Sequence, residues 1–557
     1  MNGGHASWKG EGLLRARDIT PLPDLAHGHA VTGPVRSRRP VYVDLLPPCN
    51  AGCPTGENVQ AWLALAEAGR TEEAWKALVA DNPLPAVSGR VCYHPCEDVC
   101  NRAQLDAAVG IHAVERCLGD VAIDRGWRLP QGPAERRSHK RVLVVGSGPS
   151  GLAAAVHLTL RGHDVEIRDA APSPGGMLRD GIPTYRLPRD VLDAEIERIA
   201  AAGVRITNGH RIEDLESEKT EGGFDAVFVA VGAQLSKHVD IPARDAGRIL
   251  DAIAFLRSVA AGERPAIGRR VAVYGGGNTA MDTARTARRL GAEEALIIYR
   301  RTRAQMPAHE EEAESAEREG VRINWLRTIS AFDAPDLVVE TMELDDHGLP
   351  RPTGHTEVLA ADTVILALGQ DSDTSFLKGI PGVELSADGS IAVSSTMMTG
   401  HPGVFAGGDS VPAERTVTVA LGHGKKAARA VDAWLRGTPV ATAPKHPTAT
   451  FETLHLWYFG DALRRHQPEL AATEPVHGFD EVVGSLSATE ARFEAARCLS
   501  CGNCFECDGC LGACPEGAVI KLGKGKRYRF DDDVCTGCAA CFEQCPVHAI
   551  DMVPESR

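Results

Sequence analysis

Residues 141–170 read RVLVVGSGPSGLAAAVHLTLRGHDVEIRDA, which is an apolar strand, a glycine-rich turn, a helix and a second strand. The turn has the G-x-G-x-x-G spacing at Gly146, Gly148 and Gly151. Glycine at the first position permits the tight turn, at the second it lets a pyrophosphate approach the backbone, and at the third it lets the helix pack closely. The stretch therefore predicts a dinucleotide-binding βαβ unit.

An acidic residue closes this unit. The second strand ends at Asp169, 21 residues after Gly148. A carboxylate at this distance accepts hydrogen bonds from a ribose. A lone glycine motif is often only a tight turn, but here both strands, the helix and the acid accompany it.

A second unit occupies residues 269–301, RRVAVYGGGNTAMDTARTARRLGAEEALIIYRR. Gly275 and Gly277 take the first two glycine positions, and Ala280 takes the third. The α/β pattern of strand, turn and helix thus occurs twice, and we expect two nucleotide-binding domains.

Two arginines replace the acid in the second unit. Arg300 and Arg301 follow its last strand. A guanidinium at this point binds a 2′-phosphate through two contacts, which favours NADP(H) over NAD(H). The alternative is that both arginines form a solvated strand end, but the nearby Arg303 adds to a local positive charge that favours phosphate binding.

Length and charge limit the possible functions. With 557 residues, the chain has room for three or four domains of about 150 residues each. A net charge of −15 argues against nucleic acid as the main partner. No apolar run approaches the roughly 18 residues of a membrane span, and the first residues have no apolar segment of a secretory signal. We expect a soluble, cytoplasmic protein.

The 16 cysteines are grouped near the two ends, with six between positions 49 and 117 and ten between 498 and 545. Disulfide frameworks belong to small secreted domains, so this distribution favours metal or cluster ligation. The tail contains C-x₂-C-x₂-C-x₃-C-P twice, the pattern of bacterial two-cluster ferredoxins, in which the fourth cysteine of each run ligates the other cluster. Zinc sites use isolated cysteine pairs and fit poorly. The predicted ligands are Cys504, Cys507, Cys510 and Cys545 for one [4Fe–4S] cluster, and Cys514, Cys535, Cys538 and Cys541 for the other.

Three further motifs resemble a known family: PGGMLRDGIPTYRLP at 174–188, DAVFVAVGA at 225–233 and GVFAGGDS at 403–410. They are similar to the flavin domain of the glutamate synthase small subunit and to the amino-terminal half of dihydropyrimidine dehydrogenase. The resemblance implies FAD in the first unit and NADP(H) in a second domain inserted between two halves of the FAD domain. It places Asp409 on the flavin side, although an aspartate there could equally be a helix N-cap.

The candidate cofactor-binding residues of the two units follow from these motifs and from the resemblance. For FAD they are Gly146, Gly148, Pro149, Gly151, Asp169, Gly176, Gly408, Asp409 and Thr418, and for NADP(H) they are Gly275, Gly277, Asn278, Thr279, Arg300 and Arg301. Residues 118–497 contain no cysteine, so a flavin here cannot pass electrons to a redox thiol pair and must use clusters or another acceptor.

The amino-terminal cysteines depart from the family pattern. The resemblance implies two [4Fe–4S] clusters with a Glu or Gln ligand, for which Glu115 stands at the matching position. The family's R-C-L-x-C element is absent before Cys49, but the same element occurs at residues 497–501. We therefore predict that the chain folds back to share a cluster, and Cys117 remains an ordinary thiol. The predicted ligand sets are Cys49, Cys100, Cys498 and Cys501, and Cys53, Cys92, Cys96 and Glu115. The alternative is one amino-terminal cluster, with Cys498 and Cys501 as spare thiols.

The expected fold is multidomain α/β: a helical iron–sulfur domain, two Rossmann-like domains with the NAD(P)H domain inserted in the FAD domain, and a ferredoxin-like α+β domain. The predicted segments are an extension (1–45) that wraps loosely on the rest, the helical domain (46–135), the first half of the FAD domain (136–265), the NADP(H) domain (266–368), the second half of the FAD domain (369–437), a connector (438–497) and the ferredoxin domain (498–557).

The same features predict an electron-transfer subunit that acts with a partner, because no domain for reducing a further substrate is recognisable. The tail resembles the delta subunit of 2-oxoacid:ferredoxin oxidoreductases, so such an enzyme is the first expectation for the partner. The large subunit of glutamate synthase is the second. A non-enzymatic electron-transfer scaffold with degenerate nucleotide sites is the alternative of another class.

Overall fold

The computed structural model describes residues 36–237, 239, 241–242, 248–441, 446–470 and 478–555. Within these residues, no helix is both long enough and apolar enough to cross a bilayer. The predicted absence of a secretory signal concerns the first residues, which lie outside the described residues.

A strand and six helices open the described chain. Trp62 and Trp75 are fully buried at the centre of the helical domain. The side chain of Asn58 caps the second helix by accepting a hydrogen bond from the Ala61 amide, which satisfies an otherwise unpaired donor. The elements are β1 (Arg38–Tyr42), α1 (Pro48–Gly52), α2 (Val59–Glu67), α3 (Thr71–Val79), α4 (Pro85–Val91), α5 (Pro95–Asp98) and α6 (Ile111–Asp124).

The first nucleotide domain is built on a parallel sheet. After Arg141, its central strand is a run of four buried apolar residues, as is typical of buried parallel strands. Its first elements are β2 (Arg141–Val145), α7 (Pro149–Leu160), β3 (Asp164–Arg168), α8 (Met177–Asp180), α9 (Arg189–Ala201), β4 (Arg205–Thr207), α10 (Leu215–Gly222), β5 (Ala226–Val229) and β6 (Leu235–Ser236).

The second nucleotide domain follows. Its elements are β7 (Arg248–Asp251), α11 (Ala252–Ala260), β8 (Arg270–Tyr274), α12 (Asn278–Arg289), β9 (Glu294–Tyr299), α13 (Glu310–Arg318), β10 (Val321–Trp325), β11 (Arg327–Asp333), β12 (Asp336–Leu344), β13 (Pro350–Ala360) and β14 (Thr363–Leu366). Five of these strands form a parallel sheet in the order β10-β9-β8-β14-β7, and β11, β12 and β13 form an antiparallel sheet.

The chain then returns to the first domain through β15 (Gln370–Asp371), β16 (Val404–Ala406) and α14 (Val417–Arg436). Strand β16 joins the first sheet, whose order is β16-β5-β2-β3-β4. The second domain is therefore inserted in the first, and the short antiparallel pair β6–β15 lies where the chain crosses between them.

One domain boundary differs from the sequence prediction. Strand β7 pairs with β14, and the buried side chain of Phe255 in α11 packs in the core of the second domain. The second domain therefore begins before residue 266, where the sequence analysis placed it. The physical reason is that β7 precedes the glycine-rich turn and is recognisable only from its partner in the sheet.

The predicted connector contains a helix that packs on the amino-terminal domain. Helix α15 (Ala488–Ala496) begins with a capping box between Ser487 and Glu490, in which each side chain accepts from the backbone of the other. Its next residue, Arg497, is 1% exposed and donates to the carbonyl oxygens of Ala107 and Ala108. Residues 488–497 of the predicted connector thus pack as part of the helical domain.

The ferredoxin domain contains α16 (Gly509–Ala513), β17 (Val519–Lys521), β18 (Tyr528–Phe530), α17 (Ala540–Glu543) and β19 (Ile550–Pro554). Strand β1 pairs antiparallel with β19, from Arg38 opposite Pro554 to Tyr42 opposite Ile550. The expectation that the amino-terminal extension only wraps loosely is therefore wrong for residues 38–42, because they complete a sheet of this domain.

Candidate nucleotide and iron–sulfur sites

A cavity of about 1130 Å³ lies between the two nucleotide domains. Residues of both predicted nucleotide sites line it, so the fold brings parts of the two sites together. The predicted residues that do not line it are Gly151 and Thr418 of the first site and Gly275, Gly277, Arg300 and Arg301 of the second. The predicted residues in its wall are Gly146, Gly148, Pro149, Asp169, Gly176, Gly408 and Asp409 from the first domain, and Asn278 and Thr279 from the second.

The first turn needs glycine for two steric reasons. Gly146 has φ +104°, and a Cβ there would lie 2.4 Å from the carbonyl oxygen of Ala230. A Cβ on Gly151 would lie 2.0 Å from the carbonyl oxygen of Gly146, so helix α7 packs against the turn only without one. A Cβ on Gly148 would meet nothing within 4 Å, which leaves that backbone accessible to a ligand.

The side chains around this turn fit a bound FAD. The hydroxyl of Ser150, in the first turn of α7, is buried in the cavity wall without a hydrogen-bond partner among the described residues. A helix N-terminus with a free hydroxyl donor is suited to a pyrophosphate. Ser150 is not among the residues predicted from sequence, because a serine inside a glycine motif is not in itself a binding signal.

Asp169 lies at the cavity edge, as a ribose-binding acid should. Its Oδ2 accepts hydrogen bonds from the amide of Ser147 at 2.6 Å and from its hydroxyl at 2.5 Å. Its Oδ1 accepts from the amide of Ala171 at 2.8 Å. These bonds fix the orientation of the carboxylate, and Oδ1, which accepts only one of them, keeps capacity to accept from a ribose hydroxyl.

Asp409 is a second acid in the wall of this cavity. Burial raises the pKa of its carboxyl to about 6, and the nearby Arg415 partly opposes that rise. Thr418 differs from its prediction, because its side chain lies outside the cavity and its Oγ1 is 3.7 Å from Sγ of Cys92. The wall is formed instead by Thr416 and Val417 at the start of α14.

The second turn has the same geometry. Gly275 has φ +152°, and a Cβ there would lie 2.2 Å from the carbonyl oxygen of Ala367. Gly277 is open, like Gly148. Asn278 accepts a hydrogen bond from the His309 amide at 3.0 Å, which ties α12 to the loop before α13. The turn is thus shaped for a second dinucleotide.

The arginines after β9 divide into two kinds. Arg300 is exposed, and Arg301 is half-buried beside it. Arg303 is paired with Glu310 and Glu317, with 2.7 Å from its Nε to the Glu310 carboxylate. The expectation that Arg303 adds free positive charge is therefore wrong, because two carboxylates neutralise it. Arg300 and Arg301 remain the candidates for a 2′-phosphate.

Two small cavities in the ferredoxin domain are each lined by four cysteines. One has Cys504, Cys507, Cys510 and Cys545, and the other has Cys514, Cys535, Cys538 and Cys541. These are the sets predicted from the two runs, including the exchanged fourth cysteine. Burial, followed by the charges of the neighbouring cysteines, raises the pKa of both Cys510 and Cys541 to about 12. Four thiols converging on an apolar cavity suit a [4Fe–4S] cluster, whose iron ions bind thiolates.

A third four-cysteine cavity joins the two ends of the chain. Its cysteines are Cys49, Cys100, Cys498 and Cys501. Burial raises the pKa of Cys498 to about 12, and the charge of Cys501 adds to that rise. Helix α15 and Arg497 hold the second pair against the helical domain. The fold therefore brings together the four cysteines predicted to share a fold-back cluster.

The last predicted set surrounds a network of buried carboxylates. Glu115 is 6% exposed and accepts a hydrogen bond from Nδ2 of Asn82 at 2.8 Å and another from the hydroxyl of Ser88. Burial raises the pKa of the Cys92 thiol to about 12 and also raises the pKa of the Cys53 thiol. The charge of Glu115 adds to both rises. The carboxylate therefore lies close to the predicted cysteines.

Glu57 is a second buried acid at this site, which the sequence analysis does not identify. It accepts from Nδ2 of Asn82 at 3.0 Å and from Nε1 of Trp62 at 3.2 Å. Burial raises its pKa to about 7. Cys53 and Cys96 are both within range of its charge, so Glu57 and Glu115 are both candidates for the non-cysteine ligand. Its only sequence signal is its position four residues after Cys53.

Comparisons with known proteins match these sites in order along the chain. A family model described as pyridine nucleotide-disulphide oxidoreductase matches residues 140–424. A model for domain II of dihydropyrimidine dehydrogenase, with its 4Fe-4S cluster, matches residues 43–127. A 4Fe-4S dicluster model matches residues 503–549.

Several curated relatives align over most of the chain. The beta subunit of an NADP(+)-dependent formate dehydrogenase from Moorella thermoacetica is 38% identical, over 82% of this chain and 70% of that protein. The beta subunit of an NADPH-Fe(3+) oxidoreductase from Geobacter sulfurreducens is 33% identical, over 82% of this chain and 75% of that protein. The small chain of an NADPH glutamate synthase from Azospirillum brasilense is 33% identical, over 72% of this chain and 89% of that protein.

Fold, sites and comparisons together define an NAD(P)H-dependent flavin and iron–sulfur oxidoreductase, whose cofactors are FAD, NADP(H) and [4Fe–4S] clusters. The chain belongs to the pyridine nucleotide-disulphide oxidoreductase family, in the branch with the glutamate synthase small subunit and the amino-terminal half of dihydropyrimidine dehydrogenase. The predicted family is confirmed, and the alternative of a non-enzymatic scaffold loses its support.

Proposed function

We propose that this chain is the subunit that exchanges electrons between NADP(H) and a catalytic partner protein. The observation that carries this proposal is the position of Cys92. Its neighbours Val91 and Tyr93 both line the nucleotide cavity, and its Sγ lies 3.7 Å from Thr418 at the start of α14. A predicted cluster ligand thus lies directly behind the wall of the predicted flavin site.

Helix α14 fixes this arrangement. Nζ of Lys425 donates to the carbonyl oxygens of Thr55 and Gly56 at 3.0 and 2.6 Å and pairs with Asp81 at 2.6 Å. A Cβ on Gly422 would lie 2.2 Å from the carbonyl oxygen of Pro54. The loop after Cys53 is therefore held tightly against the helix that bounds the flavin site.

The cysteine sets form a continuous series from this point to the tail. The short helix α1 connects Cys53 of one set to Cys49 of the next. The Cys49 set also includes Cys501. Cys504, which belongs to the first ferredoxin set, follows Cys501 by three residues. Cys510 of that set lies within range of the charge of Cys541 in the second. We propose that the four sets hold four [4Fe–4S] clusters in this order.

When bound, the cofactors supply hydride transfer between NADP(H) and FAD and one-electron transfer through the clusters. The chain's residues position them: Ser150 and the α7 N-terminus bind the FAD pyrophosphate, Asp169 binds its ribose, and Arg300 and Arg301 bind the NADP(H) 2′-phosphate. We propose no acid–base residue, because hydride transfer needs none.

For the partner, we propose a formate-oxidising catalytic subunit, because the Moorella relative, at 38% identity, is the beta subunit of such an enzyme. The large subunit of glutamate synthase is the second candidate, since the matched small chain is covered over 89% of its length. The prediction of a 2-oxoacid:ferredoxin oxidoreductase remains a prediction, and the three relatives named above do not support it.

Purification of the tagged chain from its own cells tests the proposal. The complex is assayed for NADP(+) reduction with formate and with pyruvate plus coenzyme A, each of which supplies two electrons on oxidation. It is also assayed for NADPH oxidation with glutamine plus 2-oxoglutarate, because a glutamate synthase small chain delivers electrons in that direction. One NADPH should form per formate oxidised. Activity only with glutamine plus 2-oxoglutarate, or only with pyruvate plus coenzyme A, would assign the corresponding other partner, and a chain that purifies alone with no such activity would refute the partner role.

A further inference from the structure

The amino-terminal strand lines both ferredoxin cavities. Pro40 lines the cavity of the Cys514 set, and Tyr42 lines that of the Cys504 set. The hydroxyl of Tyr42 also accepts a hydrogen bond from the amide of Tyr528 at 3.2 Å. Residues 36–42 are thus close to the cluster sites, although more than 450 residues separate them from the tail in sequence.

Arg36, just before this strand, is directed at one cluster ligand. Its Nη1 donates to the carbonyl oxygen of Cys535 at 3.2 Å and to that of Asp532. Its Nε and Nη2 donate to the two carboxylate oxygens of Glu555 at 2.9 and 2.8 Å. The side chain is only 15% exposed, so salt screens its charge weakly.

The backbone fixes how closely this strand approaches the Cys535 loop. A Cβ on Gly537 would lie 2.4 Å from the carbonyl oxygen of Arg38 and 2.9 Å from Cγ of Arg36. Glycine at this position therefore lets the arginine lie against the loop that carries Cys535 and Cys538. Burial raises the pKa of the Cys535 thiol, and the guanidinium of Arg36 opposes that rise.

We propose that Arg36 is a positioning residue that raises the reduction potential of the cluster held by Cys514, Cys535, Cys538 and Cys541. Reduction adds one electron, and hence one negative charge, to a cluster whose potential depends on nearby charge, hydrogen bonds and solvent exposure. The guanidinium stays protonated at every working pH. Glu555 pairs with its Nε and Nη2 edge, whereas its Nη1 edge donates to the Cys535 loop, so this ion pair presents its positive end to the cluster and favours the reduced state.

This inference rests on the proposed function, because it assumes the cluster assignment. In the proposed series, the Cys514 set is the last before the partner. A higher potential there stabilises electrons at the end of the series, where the partner exchanges them. The residue would therefore bias electron flow without touching either nucleotide.

The test is a redox titration of the full-length holoprotein that is monitored by electron paramagnetic resonance. The signal of this cluster is identified as the one altered in Cys538→Ser. Arg36→Gln should move the potential of that signal to a more negative value and leave the potentials of the other signals unchanged. Arg36→Lys keeps the positive charge, so its potential should stay close to that of the unaltered protein. Arg38→Gln is the matched control, because it removes the same charge from an exposed side chain of the same strand.

A second variant keeps the test decisive if Arg36→Gln fails to fold. Asp532 is exposed, and its Oδ1 lies 3.8 Å from Nη1 of Arg36. Asp532→Asn removes a negative charge, so it should move the same potential in the positive direction. Unchanged potentials in Arg36→Gln and Asp532→Asn, or equal shifts of all signals, would overturn the role of Arg36. If Cys538→Ser changes no signal of the unaltered protein, the assignment of a cluster to this cysteine set is refuted instead.

Discussion

Nη1 of Arg186 lies 2.8 Å from Oδ2 of Asp282, across the boundary between the two nucleotide domains. The two side chains are 10% and 6% exposed, and Arg186 also pairs with Glu312. Both domains contribute to the cavity wall here, since Arg186 and Asp282 line it. The ion pair therefore fixes the relative position of the two nucleotide sites.

Removing the cation from this pair should destabilise the protein strongly. Arg186→Ala leaves Asp282 buried without its partner, which typically costs about 3–5 kcal/mol. Arg186→Met with Asp282→Leu should recover most of that loss, because Glu312, the other partner of Arg186, keeps its ion pair with Arg285. Differential scanning calorimetry measures both. Arg211→Ala, which breaks an exposed pair with Asp373, is the control, with a change below about 1 kcal/mol. An equal change for Arg186→Ala and Arg211→Ala would contradict the inter-domain role.

Cofactor preference should depend on Arg300 and Arg301 and not on Arg303. The double variant Arg300→Ala with Arg301→Ala loses a charge-assisted contact to the 2′-phosphate, worth about 1.5–3 kcal/mol, or about 10- to 100-fold. The KM for NADPH should rise by that factor, and the KM for NADH should stay nearly constant. Arg303→Ala is the matched control, because Glu310 and Glu317 already neutralise this arginine. Equal use of NADH and NADPH by the unaltered protein would refute the assignment.

Binding of FAD should weaken at acidic pH because of Asp409. Burial raises the folded-state pKa of this carboxyl to about 6, above its ordinary value of 3.8. The folded apoprotein therefore binds the carboxyl proton of Asp409 more tightly than the unfolded chain does. Above pH 6 the ionised Asp409 destabilises the folded apoprotein. This destabilisation decreases as the pH falls from 6 toward 4. An ionised carboxylate accepts the stronger hydrogen bond from a flavin hydroxyl, so FAD affinity should fall about tenfold between pH 7 and pH 5.

Fluorescence titration of the apoprotein with FAD measures this dependence. In Asp409→Asn the affinity should be lower at pH 7 and should change much less between pH 7 and pH 5. The same pH profile in both proteins would show that another group is responsible. His423, whose ring accepts a hydrogen bond from the Gly408 amide at 3.2 Å, is the group to substitute next.

The two nucleotide domains could be predicted from sequence because each is encoded locally. Strand, turn and helix lie within about 30 residues, and the reasons for glycine at Gly146 and Gly151 are steric and general. The pairing of β1 with β19 could not be predicted, because a five-residue strand does not specify a partner some 500 residues away. Strand β7 escapes prediction for the same reason.

The sites show the same division. The proposed ferredoxin ligands can be predicted from cysteine spacing alone. Glu57 cannot be predicted in this way, because only its burial in the folded chain raises its pKa and distinguishes it from other acidic residues. The family resemblance suggests Thr418 for the flavin site, but its side chain lies against Cys92, while Val417 lines the cavity. Side-chain direction at the start of a helix depends on packing that a sequence motif does not contain.

The fold-back cluster makes the most specific prediction about the chain as a whole. If Cys49, Cys100, Cys498 and Cys501 share a cluster, four [4Fe–4S] centres require about 16 iron ions per chain, from four in each. The alternative of a single amino-terminal cluster gives about 12 by the same count. Cys498→Ala with Cys501→Ala should lower the iron content by about four and leave the ferredoxin signals intact.

Cys117→Ala is the matched control for this loss. Cys117 is buried beside Leu486 and Ala491 and lines none of the three four-cysteine cavities, so its removal should leave the iron content unchanged. The double variant should also loosen the packing of α15 on the helical domain, because cluster ligation contributes to folding. Faster alkylation of Cys49 and Cys100 in the double variant, but not in Cys117→Ala, would report that loosening. An iron content near 12 in the unaltered protein, with no loss in the double variant, would leave Cys498 and Cys501 as spare thiols.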